Sequence, residues 1–395
     1  MSLTLLLDLD DTLLDTNVDV FTPAYLQALV KHFNGRAAPD VIFRALATGT
    51  GLMNQNLNPA HTLKEVFDAS FFPVLGISGE EIDDVIGDFY DTVFPTLAVH
   101  TRQRADAAPF VAWALSQGYR VAIATDPLLP RKATWHRIRW AGIDPETVEL
   151  ITTYEDSHFS KSFTAYYAEV LGRLGWPEGP VLMVGNDIER DLLPAHRLGL
   201  PTYLVDGSPD SAPEFVAGQG SLADLRPWLE STNLSRLEPS YKTPDAILAI
   251  MTSTPAVLHN LTAGLTEEQW RHEPTKDDWA LNEIVCHLRD TEREIHRLQI
   301  NLLLEREGAF LPRPENAVWA NEREYLNVQG TSALAEFTAA RLEILKALRE
   351  QKDELWSRRA RHAIFGPTNF LEVAGFIADH DRLHIQQAWK TVQSL

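Results

Sequence analysis

Residues 3–16 read LTLLLDLDDTLLDT, and the first half of that stretch sets the architecture of the N-terminal domain. From 3 to 9 the run is almost wholly apolar, which suits a strand covered on both faces and predicts the centre of a parallel sheet. Short apolar runs recur at 120–125 (RVAIAT), 148–152 (VELIT), 181–184 (VLMV) and 202–205 (TYLV), each separated from the next by a helical stretch. This alternation predicts a doubly wound α/β domain, whose ligands lie beyond the carboxyl ends of its strands.

The interval between the first two strands, about 16–118, is too long for one crossover and predicts an inserted helical cap over about 17–105. Within it FTPAYLQALVKHF, TLKEVFDASFF and GEEIDDVIGDFYDTVF repeat apolar residues at three and four, the period of an amphipathic helix. At 231–244 the text becomes STNLSRLEPSYKTP, polar and proline-punctuated, so the α/β domain is assigned 1–230 and a linker 231–243. Beyond it the strand pattern stops. Four long helical stretches at 244–261, 280–307, 332–352 and 369–392 predict an all-α four-helix bundle over 244–395.

The 395 residues carry a formal charge of −20 and a single cysteine, Cys286. Spread-out negative charge argues against a nucleic-acid partner, and one thiol forms no internal disulfide. The opening MSLTLLLDLDD lacks the basic stretch and cleavage site of a signal peptide, and no apolar segment is long enough for a bilayer. The expectation is a cytoplasmic protein with no membrane partner. The ten tryptophans, Trp113, Trp135, Trp140 and Trp279 among them, and His196 with Arg197, are read as packing or surface residues.

Asp8 and Asp10 stand two residues apart at the end of the first strand, where period-two geometry sends both side chains the same way. Two such carboxylates can divide a reaction, one attacking phosphorus and the other moving protons. The strand followed by DLDDT resembles the first motif of the haloacid dehalogenase superfamily, and further motifs come in order over about 3–229. Thr125 ends VAIAT, with Asp126 after it; Lys161 lies in HFSKSFTAYY; VLMVGNDIERDLLPAHRLGL carries Asp187 and Asp191.

The resemblance implies Asp8 as nucleophile, Asp10 as general acid and base, Thr125 as a phosphoryl hydrogen-bond donor and Lys161 as the stabilising cation. It also implies Mg²⁺ held by Asp8, Asp187 and the backbone carbonyl of Asp10, with Asp191 in support. The family's third motif usually continues Lys-Pro, whereas Lys161 is followed by Ser162 and Phe163. Halide displacement, the family's other chemistry, does not need a second acid, so Asp10 favours phosphate esters.

In the bundle, His380 and His384 of FIADHDRLHIQQ share a helix face at i and i+4, and His287 in WALNEIVCHLRDTE lies on another apolar-faced helix. Three converging imidazoles would bind a divalent transition metal. The stretch 279–292, the long third helix and HDRLHIQQ resemble the DinB-like four-helix bundles, over about 244–395. That resemblance implies the triad His287, His380 and His384, with Zn²⁺ or Ni²⁺ among the metals such a site accepts. Cys286 points about 100° from His287 and reads as a core thiol.

The expected activity is Mg²⁺-dependent hydrolysis of a small phosphorylated metabolite through an aspartyl-phosphate. Two alternatives stay open: a metal-dependent transferase or hydrolase centred on the bundle, resembling thiol transferases, or a bundle that only binds a ligand or forms a homodimer.

Overall fold

A computed structural model describes residues 2–33, 35–76, 79–207, 212–276, 278–351 and 353–395. The chain divides into two compact units, Met1–Tyr166 with Pro177–Pro239, and Tyr167–Trp176 with Ser240–Leu395. In the stretch 231–243, Leu234–Leu237 forms a 3₁₀ turn and Leu237 is buried in the core of the first unit.

The first unit holds a six-stranded parallel sheet. Its strands are β1 (Thr4–Leu7), β4 (Arg120–Ile123), β5 (Leu150–Ile151), β6 (Val181–Gly185), β7 (Thr202–Val205) and β8 (Gly218–Gly220), in the order β5-β4-β1-β6-β7-β8. Central β1 is buried throughout, which is why its sequence is apolar without alternation. In register, Leu7 lies beside Ile123 of β4 and Val184 of β6. The residues just past these strands therefore emerge at one edge, where the chain order reverses about β1. β8 carries no apolar signal in its Gly-Gln-Gly sequence and is an addition to the expected strands.

The cap leaves and rejoins this domain through a two-stranded antiparallel ribbon, β2 (Leu14–Asp15) on β3 (Arg102–Gln103). Between them lie helices Val18–His32, Pro39–Gln55, Leu63–Leu75 and Gly79–Asp88, then a π turn Phe89–Val93 and a 3₁₀ turn Phe94–His100. Thr62 and Glu65 close a capping box at the start of Leu63–Leu75, and left-handed Gly76 ends it. Pro39–Gln55 is a further cap helix, not among those expected, whose Gly49, Gly51, Thr48 and Thr50 are weak helix formers. Its glycine has a packing reason: a Cβ at Gly49 would lie 2.5 Å from the Phe67 ring.

The second unit contains the bundle. Its helices are Pro244–Thr262, a continuous run from 281 to 305, Gly330–Arg349 and Phe370–Gln393. The run from 281 to 305 passes through a π turn at Glu292–His296. Pro244–Thr262 packs on Phe370–Gln393, and Leu281–Thr291 on Gly330–Arg349. Lys352, the expected end of the third helix, lies outside the described residues. A small sheet, β9 (Ala309–Leu311), β10 (Arg359–His362) and β11 (Gly366–Asn369), has strands of only three or four residues, too short to leave a pattern in the sequence. Doubly wound sheet, inserted helical cap and four-helix bundle are thus all present. Among the described residues no helix is long and apolar enough to cross a membrane.

Candidate functional site

Asp8 comes directly after β1, and its backbone N–H donates to Val184 O at 2.9 Å. Its carboxylate is 2.5 Å from Lys161 Nζ, which also lies 2.6 Å from Asp191 Oδ1. All three side chains are buried. Burial would lower the Lys161 ammonium's pKa, but the Asp191 and Asp8 carboxylates outweigh it and hold it above its ordinary value. Burial, reinforced by the Asp8 charge, pushes Asp191 up.

After Asp8 the chain makes one tight turn, with Leu13 and Leu14 N–H groups both donating to Leu9 O at 2.9 Å. Asp11 sits in the left-handed region at φ 55°, and its carboxylate accepts from Thr16 N–H at 2.8 Å, the local bond that makes Asp tolerable there. The Asp10 carboxylate accepts from Thr16 Oγ1 at 2.5 Å and forms an ion pair with Arg137. Arg137 is itself buried, and burial pushes its guanidinium down to about 10.

Thr125 lies just beyond β4. Its carbonyl accepts from Thr152 Oγ1 at 2.7 Å and from Tyr166 OH at 2.8 Å, while its own Oγ1 is buried with no hydrogen-bond partner among the described residues. A buried hydroxyl without a partner is costly, and a phosphoryl oxygen at the strand edge would satisfy it. Asp126 accepts from Lys161 N–H at 3.2 Å and pairs with Arg190.

β6 leads into the last piece. Asp187 caps the π turn Ile188–Leu192, accepting from the N–H groups of Glu189 at 2.9 Å and Arg190 at 3.2 Å. Its own N–H donates to Asp191 Oδ2 at 3.0 Å. Gly185 makes room for this arrangement, since a Cβ there would lie 2.2 Å from Asp191 Oδ2. Asp8, Asp191 and Lys161 are thus brought into direct contact, Asp187 joins them through its backbone, and the Asp10 carboxylate is engaged by Arg137 and Thr16. The Asp8 and Asp191 carboxylates outnumber the single ammonium between them, and hard oxygens in excess negative charge suit a small divalent cation, whereas the Asp187 carboxylate caps its own turn and does not converge with them. Arg137, Tyr166 and Arg190 carry no local signal, for each acts across the fold on a residue far away along the chain.

In the second unit His287, His380 and His384 offer nitrogens all within 4.8 Å of one another. His287 Nε2 and His380 Nε2 are 3.0 Å apart, and Trp279 lies against the His384 ring with centroids 6.0 Å apart. His384 Nδ1 is 3.0 Å from Gln387 Oε1, so Nδ1 carries the proton and Nε2 keeps its lone pair. Burial and neighbouring imidazoles push His287 down to about 3 and His380 well below its ordinary value. A neutral imidazole is the form able to donate a lone pair to a metal.

Beneath the histidines lies a buried ion network that residue spacing does not disclose. Arg341 Nε lies 2.5 Å from Glu292 Oε1 and Nη2 lies 3.0 Å from Asp381 Oδ1; Glu292 Oε2 is 2.9 Å from His296 Nδ1. The His296 ring in turn meets His380, centroids 5.4 Å apart.

Residues 3–199 match the family model described as haloacid dehalogenase-like hydrolase, and residues 250–388 match that of the DinB superfamily. Among solved structures, a HAD phosphatase from Thermococcus onnurineus is 16% identical, with 58% of this chain and 98% of that one covered and a TM-score of 0.39. The magnesium-bound HAD-hydrolase YfnB from Bacillus subtilis is 21% identical over 58% of this chain and 99% of that one, TM-score 0.38. YfiT from Bacillus subtilis, a four-helix bundle of unusual topology, is 18% identical over 39% and 88%, TM-score 0.36. No curated protein matches the chain.

Proposed function

We propose, for a chain whose residues 3–199 belong to the haloacid dehalogenase-like hydrolases and whose residues 250–388 belong to the DinB superfamily, that the first unit is a phosphomonoesterase working through an aspartyl-phosphate on Asp8. The contact of Lys161 with both Asp8 and Asp191, at 2.5 and 2.6 Å, carries this reading. It fixes one Asp8 oxygen at the end of β1, and Thr125, at the end of the neighbouring β4, has a hydroxyl without a partner among the described residues.

An Asp8 oxygen attacks phosphorus and the ester P–O bond breaks, while Asp10 in its acid form gives its proton to the departing oxygen. Asp10, now a carboxylate, takes a proton from the water that attacks the phosphoryl group, returning free Asp8 and inorganic phosphate. Thr125 donates to a phosphoryl oxygen and Lys161 offsets the negative charge on the same side. Thr16 and Arg137 hold the Asp10 carboxylate in place. Asp8, Asp187 and the Asp10 carbonyl would hold Mg²⁺, with Asp191 in support, and the ion would supply positive charge against the repulsion between phosphate and nucleophile.

The partner is a small phosphorylated metabolite, and the single cysteine is consistent with work in the reducing cytoplasm. Asp8→Asn should lower hydrolysis of acetyl phosphate or p-nitrophenyl phosphate in the presence of Mg²⁺ by about a thousandfold or more. Undiminished turnover would end the mechanism.

The three-histidine cluster supports a second reading for the second unit: a divalent transition-metal centre, Zn²⁺ or Ni²⁺, held by His287, His380 and His384. Such a metal would supply Lewis acidity to a hydrolase or transferase reaction. Elemental analysis of the purified chain, with and without His380→Ala, tests it: one equivalent of metal should disappear with the imidazole.

A further inference from the structure

We propose that the phosphate ester cleaved here carries a hydrocarbon-rich leaving group, housed in a cavity of the cap. The inference rests on the phosphatase reading of Asp8 and adds the substrate class to it. The cavity has a volume of about 620 Å³, within the range of sites that enclose most of a small-molecule ligand.

Its placement identifies which half of the substrate it receives. Asp10, the proton donor to the departing oxygen, lines the cavity, whereas Asp8, Thr125 and Lys161 are not among the lining residues. The cavity therefore lies on the leaving-group side of phosphorus. Asp126 and Arg137 are its other charged residues, and most of the remaining wall is aromatic and aliphatic.

Of the six hydroxyl side chains in that wall, three are engaged with other lining residues. Tyr25 and Tyr90 share a hydrogen bond of 2.8 Å, and Thr16 is committed to Asp10. A polyol such as a sugar would have to give up its hydrogen bonds to water there for too few partners, while a hydrocarbon would lose nothing. The apolar side chains are also not all consumed by packing: Val18 and Phe43 line the cavity while 52% and 39% exposed. Apolar surface left open inside a concave site is surface for an apolar guest.

The test uses the full chain with Mg²⁺ and compares kcat/KM for decyl phosphate and 2-naphthyl phosphate with that for glycerol 3-phosphate and glucose 6-phosphate, acetyl phosphate serving as reference. At least one hydrocarbon ester should exceed both polar esters by about tenfold or more, and the alkyl and aryl arms tell a chain from a ring. Polar esters used equally well or better, with acetyl phosphate also turned over, would overturn this inference and leave the phosphatase reading intact. Failure to turn over every ester would remove both.

Two further measurements guard the result. Ala47→Trp, at an exposed position of the lining, should fill the space and lower the ratio of decyl phosphate to acetyl phosphate kcat/KM by about fivefold or more. Calorimetry on the unaltered protein should find decylphosphonate binding tighter than methylphosphonate, with a negative heat-capacity change. Equal affinities would overturn the inference whether or not the tryptophan variant folds.

Discussion

Lys161 is 2% exposed and touches two carboxylates, so its removal strips counter-charge from both at once. Lys161→Met should cost on the order of 3–5 kcal/mol of stability, read as a lower urea midpoint, and should depress turnover beyond what that loss explains. Cys286 behaves in the opposite sense. Burial pushes its thiol up to about 11, so at about pH 7.5 hardly any thiolate exists and a thiol reagent should react only after denaturation. Prompt labelling of the native protein would contradict that burial. The positions of Asp8, Asp10, Thr125 and Asp187 just past apolar strands could be read from sequence because there a motif is local, and the structure adds the contact of Lys161 with Asp8 and Asp191. Arg137 and Tyr166 could not, since their partners, Asp10 and Thr125, are far away along the chain and no spacing records them.

At the scale of elements, the run from 281 to 305 and Phe370–Gln393 are joined to Gly330–Arg349 by the fully buried Arg341, held between Glu292 and Asp381. Arg341→Met should destabilise the bundle by roughly 3–5 kcal/mol, because it strands two buried carboxylates. Burial alone would raise the Glu292 carboxyl, yet Arg341 and His296 hold it at about 2, below the ordinary 4.5. With the folded value depressed, this contribution is complete above about pH 5 and is lost as pH falls from 4.5 through 2. Urea titrations of the wild type and of Glu292→Gln should therefore converge on acidification through that window. The four bundle helices were legible because each keeps an apolar stripe for most of its length. The π turn was not, for one extra residue in a turn leaves the pattern on either side almost unchanged.

For the molecule as a whole, two candidate sites belong to different units and use different donors, oxygen in one and nitrogen in the other. Asp8→Asn should leave the transition-metal content of the purified chain unchanged, by elemental analysis, even as it removes phosphatase turnover. A shared fate for the two readouts would mean the sites are coupled. The division into an α/β half and a helical half was plain from the switch in hydrophobic period, but the assignment of Tyr167–Trp176 to the second unit depends on long-range packing that no local window contains. The ribbon of Leu14–Asp15 on Arg102–Gln103 has a consequence of its own: the long insert between them starts and finishes side by side. A loop anchored that way can grow, shrink or be exchanged without rethreading the sheet, so new substrates can be acquired in that insert while the reacting groups stay where they are.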